Sequence, residues 1–248
     1  MRGSLPVRPQ RFASTPFVRR IQMATQTAVR LHRMAAISGP LGVGKTTAAA
    51  EAARALGSQV VYVLMPDVGS VKAMLSAIWE CITRTPALGT ERRIMDDIVA
   101  HVLAHDVTLL IDDAHHVSTR GLRVLTGIWN EVDVARGNGV TMVLVGNDLK
   151  KALRVVPEID SRIGARCDVE PLAGKSLYEA LAVIETRTVD ADPSMLQTLD
   201  LRYFRGELRQ WVSFFEVIAM QRGETAAPEG PLDQSEVRTA LMRQGWVQ

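Results

Sequence analysis

Apolar residues fall along this chain in two rhythms. Short, mostly apolar runs stand at 34–37, 59–64, 107–111 and 140–145, each the length of a buried strand, and a fifth strand is expected at 167–170. Between them apolar positions return every three or four residues. Val71, Met74, Leu75, Ile78 and Ile82 predict a helix over 70–83, and Ile94, Ile98, Val99 and Val102 one over 91–104. Leu122, Leu125, Ile128, Trp129 and Val132 predict another over 119–134, and Val18, Ile21, Ala24, Ala28 and Leu31 give one face to a helix over 16–33. The alanine-rich stretch 48–56 is strongly helix-forming, with Gly57 placed to stop it. Strands separated by helices at these intervals predict an α/β fold, a parallel five-stranded sheet with helices on both faces. From Leu172 onward only helices are expected. The clearest begins near Gly206 and turns Leu208, Trp211, Val212, Phe215 and Ile218 inward; a last one covers 235–244 after a loop at 223–231. The pattern divides the chain into an arm and helix (1–33), a core (34–171) and a small C-terminal all-helical domain (172–248).

The turn after the first run carries recognisable chemistry. Gly39, Pro40, Leu41, Gly42, Val43, Gly44, Lys45, Thr46 and Thr47 fit G-x-x-x-x-G-K-[ST], the phosphate-cradling P-loop, in its required place between a strand and a helix. Glycines let backbone N–H groups turn inward without Cβ collisions. The following helix presents its free N–H groups and positive dipole end to the same anion. Lys45 is expected to reach the β- and γ-phosphates of ATP, and the Thr46 hydroxyl to sit on Mg²⁺.

The third run passes directly into Asp112-Asp113. An apolar strand ending in carboxylates downstream of a P-loop reads as a Walker B element. Asp112 is expected to hold Mg²⁺, directly or through water, and Asp113 to orient or activate the attacking water. Asp reaches about 1.5 Å less far than Glu, so Mg²⁺-dependent ATP hydrolysis is expected but with room for a slow rate. His115 and His116 follow without a partner at metal-ligand spacing and receive no role. Asn147 closes the fourth run, at the sheet edge where ligands bind, within reach of a γ-phosphate or lytic water. Arg162 and Arg166 flank Ile163-Gly164-Ala165; either one can supply positive charge to a neighbouring subunit's γ-phosphate. Arg209 falls in the first turn of a helix, an unfavourable place for a cation unless an anion is near, which suits phosphate sensing.

Composition narrows the class. The chain has 248 residues, 47% apolar and 23% charged, ordinary for a soluble globular protein. No apolar run is long enough to span a membrane and no signal-peptide core is visible. Cys81 and Cys167 stand singly in apolar stretches, as buried thiols do in a reducing, cytoplasmic setting. The net charge of +2 conceals an asymmetry: the first fifty residues hold seven arginines and Lys45 with no acid, +8 in all, leaving −6 for the rest. A basic arm beside a nucleotide site invites a polyanion, whether DNA, RNA or the triphosphate itself.

In their order these elements resemble the AAA+ ATPases: P-loop Gly39–Thr46, Walker B Leu109–Asp113, Asn147 as sensor 1, Arg162 or Arg166 at the finger position, and Gly206–Arg209 as the G-x-x-R of sensor 2. Within that class the chain looks most like the transposition regulators, the phage Mu B protein and its TnsC and TniB relatives. Phe12-Ala13-Ser14-Thr15, the P-loop, Leu110–His116, Val143–Asn147, Ser161–Arg166 and Gly206–Arg209 carry that closer likeness. The resemblance implies an ATP-binding protein that self-associates into a ring or helical filament on double-stranded DNA. It also implies delivery of target DNA to a partner transposase, with hydrolysis taking the assembly apart. It places Phe12 and Thr15 beside the nucleotide. It points to Lys72, Thr83, Arg84, Arg92 and Arg93 as DNA-backbone contacts, indifferent to sequence and sensitive to salt. Two other readings stand beside it: an AAA+ ATPase acting on protein partners, helicase-loader-like or secretion-associated, and a nucleotide-gated scaffold with little hydrolysis.

Overall fold

The computed structural model describes residues 4–56, 59–67, 69–222 and 230–247. They cluster into two units, one drawn from Met1–Arg8, Phe17–Pro40 and Lys45–Val169, the other from Pro9–Pro16, Leu41–Gly44 and Glu170–Gln248.

In the first unit five strands make one parallel sheet: β1 (Met34–Ser38), β2 (Gln59–Leu64), β3 (Val107–Asp112), β4 (Thr141–Gly146) and β5 (Ile163–Asp168), in the order β2-β3-β4-β1-β5. The strand before the glycine loop therefore sits between β4 and β5. The strand ending in the two aspartates is separated from it by β4 alone. Every residue of β1, β3 and β4 is buried, which is why these runs read as continuous apolar stretches. β5 is an edge strand of which only Cys167 is buried, and it begins at 163 instead of the expected 167. Its first half lacks the apolar run that marks a covered strand, so Arg166 lies within a strand and not ahead of one.

The alternation of side chains assigns the two sheet faces. Val61, Val63, Leu109, Ile111, Met142 and Leu144 share a core with α3 (Val71–Thr83), α4 (Glu91–Ala104) and α5 (Thr119–Arg136). On the opposite face α2 (Lys45–Ala55) lies across β3 and β4 with buried Ala48, Ala49 and Ala52. Small side chains there bring the helix close to the sheet. Ser70, Thr90 and Ser118 cap α3, α4 and α5, each accepting the N–H three residues on. Gly121 of α5 abuts Met74 of α3, Arg120 pairs with Glu91 at 2.6 Å, and Arg136 donates to the Val102 carbonyl. With Trp79 beside His101, these contacts show α3, α4 and α5 running side by side in one direction.

α1 (Pro16–Leu31) buries Phe17, Val18, Ile21, Ala24, Thr25 and Ala28. Leu31, expected on that face, is exposed because the helix ends there and His32 turns to positive φ. The single short helix expected after β4 is two, α6 (Leu149–Arg154) and α7 (Pro157–Asp160), divided at Val156 before a proline. Gly57 and most of the 223–231 loop lie outside the described residues. Cys81 and Cys167 are both buried.

Residues 4–8 have no regular structure, yet they are fastened down. Glu51, buried on α2, pairs with Arg8 at 3.0 Å and with Arg54, and Arg54 donates to the Pro6 carbonyl.

The second unit is helical among its described residues: α8 (Gly174–Ile184), α9 (Pro193–Leu199), α10 (Leu208–Arg222) and α11 (Gln234–Arg243). Trp211, Phe204 and Phe214 are fully buried, with ring centroids 4.6 Å (Phe204–Trp211) and 5.2 Å (Phe204–Phe214) apart. The Asp200 carboxylate accepts from the Trp211 indole at 3.1 Å and the Gly206 N–H at 2.7 Å, which fixes the turn into α10. No helix of the described residues is long and apolar enough to cross a membrane.

Candidate nucleotide site

The site assembles where β1, β3 and β4 end. Gly42 (φ +75°) and Gly44 (φ +95°) hold left-handed backbone, open to glycine at no steric cost. Gly39 is required for another reason: a Cβ there would lie 2.3 Å from the Val169 carbonyl oxygen, where the chain leaving β5 crosses the loop and Val169 donates to Ser38.

Lys45 opens α2 and is 7% exposed. Its ammonium donates to the Pro40 carbonyl at 2.6 Å and to Asn147 Oδ1 at 3.0 Å. The next residue, Thr46, donates its hydroxyl to Asp112 Oδ1 at 3.1 Å. Two side chains of one helical turn thus reach the ends of two different strands. Asp112 is 3% exposed and also accepts the Asp113 N–H on Oδ1 at 3.0 Å and the Tyr62 hydroxyl on Oδ2 at 2.8 Å. Burial pushes its carboxyl above the usual carboxylate range, against the opposite pull of the Tyr62, Thr46 and Asp113 bonds. Burial and the neighbouring Asp112 push the Tyr62 phenol up as well.

Asp113 turns away from this cluster. Its φ is +51°, a left-handed conformation that Asp and Asn adopt far more readily than Glu. The backbone thus gives a reason for the shorter carboxylate, and leaves its side chain 44% exposed. His115, which the sequence left without a role, stands over Asn147: its Nε2 is 3.4 Å from Asn147 Nδ2, and its Nδ1 lies 3.9 Å from Asp113 Oδ1. Gly146 admits it, since a Cβ there would come within 3.1 Å of the ring. His116 turns to Asp67, 3.3 Å away. Among the described residues no group of three or more His, Cys, Asp or Glu is gathered for a metal.

The hydroxyl of Thr46 and the carboxylate of Asp112 are hard oxygen donors side by side. That suits Mg²⁺, which keeps several waters and is held by one or two protein oxygens together with phosphates. The donor set therefore fits the metal.

Other sequence candidates fall elsewhere. Arg162 is held against α5, with Nε and Nη2 donating to Asn130 Oδ1 at 3.1 and 2.9 Å and the guanidinium 5.2 Å from the Trp129 ring centroid. Arg166 is exposed on β5 and pairs with Asp160 at 2.8 Å. In the second unit the Arg209 backbone N–H donates to the Gly42 carbonyl at 3.0 Å, and Glu207 lies beside Gly42. Phe12 and Thr15 belong to the same unit, where Arg11 donates to the Ile184 carbonyl at 3.0 Å. The five candidate DNA contacts do not form one cluster. Lys72, Arg92 and Arg93 lie at the N-terminal ends of the parallel helices α3 and α4, Thr83 and Arg84 at the far end of α3. Arg92 pairs with Asp96 and Glu131, and Arg93 with Asp97; Arg84 reaches Ser4, and Thr83 donates to the Trp79 carbonyl.

A family model described as AAA domain matches residues 29–152, half of the chain, and the chain belongs to that family. The solved structures agree on the fold. The Aeropyrum pernix ORC2 protein (ADPNP-ADP complexes) is 17% identical, with a TM-score of 0.66 over 95% of this chain and 70% of that one. The Aeropyrum pernix ORC1 protein in complex with DNA is 19% identical, with a TM-score of 0.68 over 95% and 66%. The Thermotoga maritima RuvB Holliday junction branch migration motor is 15% identical, with a TM-score of 0.58 over 95% and 72%. The chain thus spans about two thirds of the length of these proteins, and at such identities the likeness is one of fold. No curated protein matches the chain.

Proposed function

We propose that this chain is an ATP-dependent AAA+ ATPase that self-associates on double-stranded DNA, delivers that DNA to a partner transposase and activates it. The observation that carries the nucleotide half is the convergence of Lys45, Thr46, Asp112 and Asn147 on the ends of β1, β3 and β4. Lys45 meets the β- and γ-phosphates, and its present acceptors, Pro40 and Asn147, mark where negative charge is wanted. Thr46 and Asp112 hold Mg²⁺, which when bound neutralises phosphate charge. Asn147 and Asp113 position the attacking water, and Asp113 accepts its proton. Arg209 is assigned as a phosphate sensor, and Phe12 and Thr15 as nucleotide contacts.

The DNA half rests on the acid-free basic arm, on the resemblance to the transposition regulators, and on a fold shared with an ORC1 protein solved on DNA. Sedimentation with duplex DNA tests it: the chain is expected to pellet as filaments or rings only with ATP and an intact Lys45. Binding of full strength without nucleotide would count against it. The internal pairing of Arg92 and Arg93 favours a second reading, an AAA+ ATPase that acts on protein partners. An ATPase rate unmoved by DNA would support that one.

Of the two candidate fingers, we assign the trans role to Arg166. Arg162 has its guanidinium engaged by Asn130 and Trp129, whereas Arg166 is exposed on an edge strand with one ion pair to exchange. In assemblies mixing Arg166→Ala subunits with wild-type subunits, the wild-type sites beside an altered subunit are expected to lose activity. Arg162→Ala is expected to leave them working. A trans effect from Arg162→Ala alone would reverse the assignment.

A further inference from the structure

Tyr62 was no part of the sequence motifs, yet its hydroxyl donates to the aspartate at the end of the neighbouring strand. β2 pairs with β3 so that Tyr62 stands opposite Leu110 and Leu64 opposite Asp112. The two-residue period puts Tyr62 and Asp112 on the same face, the one α2 covers, while Val61 and Val63 face the α3–α5 core. Diagonal neighbours in a sheet lie within reach of a long side chain. Leu64, directly across from Asp112, is exposed and has no side-chain donor. Tyr62 spans the diagonal instead, with its oxygen 2.8 Å from Asp112 Oδ2.

The two carboxylate oxygens are thereby given different work. Oδ1 faces Thr46 and the Asp113 N–H, on the side where the metal-binding hydroxyl lies; Oδ2 is held by the phenol. With a donor fixed on each side, the carboxylate plane has one orientation. We propose that Tyr62 is a positioning residue for Mg²⁺: it holds Oδ2 of Asp112 so that Oδ1 and the Thr46 hydroxyl stay together as the metal's protein ligands. This rests on the nucleotide reading above. It adds a residue outside the P-loop and Walker B motifs whose loss acts through the metal. Outer partners of metal ligands tune affinity by about 10–100-fold.

The test is Tyr62→Phe, which removes one oxygen and keeps the ring. A fluorescent ATP analogue is titrated into the wild-type chain and the variant over a range of MgCl₂ concentrations and in EDTA, with thermal melting recorded alongside. The Mg²⁺ concentration giving half-maximal enhancement of binding is expected to rise by about tenfold or more, with affinity in EDTA unchanged. In an Asp112→Asn background the same change is expected to have no further effect on the Mg²⁺ midpoint. A lowered melting temperature with an unmoved midpoint would overturn the proposal and leave Tyr62 as a packing residue. Additive effects of the two substitutions would overturn it too. A wild-type chain whose nucleotide binding ignores Mg²⁺ would instead overturn the nucleotide reading, and this inference with it.

Discussion

Asp113→Asn is expected to lower the rate of phosphate release by about 10²–10⁴-fold while ATP affinity stays within about twofold. The size follows from what the substitution removes. Asn keeps the shape of the side chain and tolerates the left-handed backbone that Asp113 occupies, so the fold and the neighbouring Asp112 cluster are undisturbed. Only the oxygen proposed above to accept the proton is lost. Asp113 is suited to this assignment because its side chain is half exposed, with His115 Nδ1 3.9 Å from its Oδ1. Steady-state turnover of the variant equal to the wild type would remove Asp113 from the chemistry and favour a nucleotide-gated scaffold with little hydrolysis.

Lys45→Ala is expected to weaken ATP binding by about 30-fold or more, to the point of undetectable binding at ordinary concentrations. Truncating one member of a buried, hydrogen-bonded charge pair costs about 2–5 kcal/mol, and each ~1.4 kcal/mol is tenfold in affinity. Lys45 is 7% exposed and its ammonium is already held by two oxygens, so little ordering is needed when phosphates arrive. Without nucleotide the variant should remain folded, since Pro40 and Asn147 lie at a site that water can enter. Titration with a fluorescent ATP analogue, with circular dichroism as the folding control, decides it. Wild-type affinity in the variant would undo the P-loop assignment.

The parts of the molecule legible beforehand were those where one interaction dominates the local sequence. β1, β3 and β4 are buried on both faces, and an unbroken apolar run allows little else. The glycine loop is constrained by backbone geometry, so its residue types announce it. β5 begins four residues before the sequence would start it, because an edge strand half open to solvent has no apolar signature. Tyr62 and His115 escaped for a different reason. Each meets its partner through strand register or the close approach of a turn to β4, neither of which appears as spacing along one segment. A lone hydroxyl inside the otherwise aliphatic run Val60-Val61-Tyr62-Val63-Leu64 was the available hint.

The same limit applies to charge. The sequence reads as a basic arm with further backbone contacts at Arg92 and Arg93, but Arg8 pairs with buried Glu51, and Arg92 and Arg93 pair with acids on their own or adjacent helices. A phosphate reaching any of these must displace a carboxylate already in place, and the freed carboxylate then gathers cations of its own. Counterion release on binding a duplex is thereby partly cancelled inside the protein. The slope of log affinity against log salt, about 0.9 per phosphate neutralised, should therefore fall short of what a tally of these guanidinium groups would give.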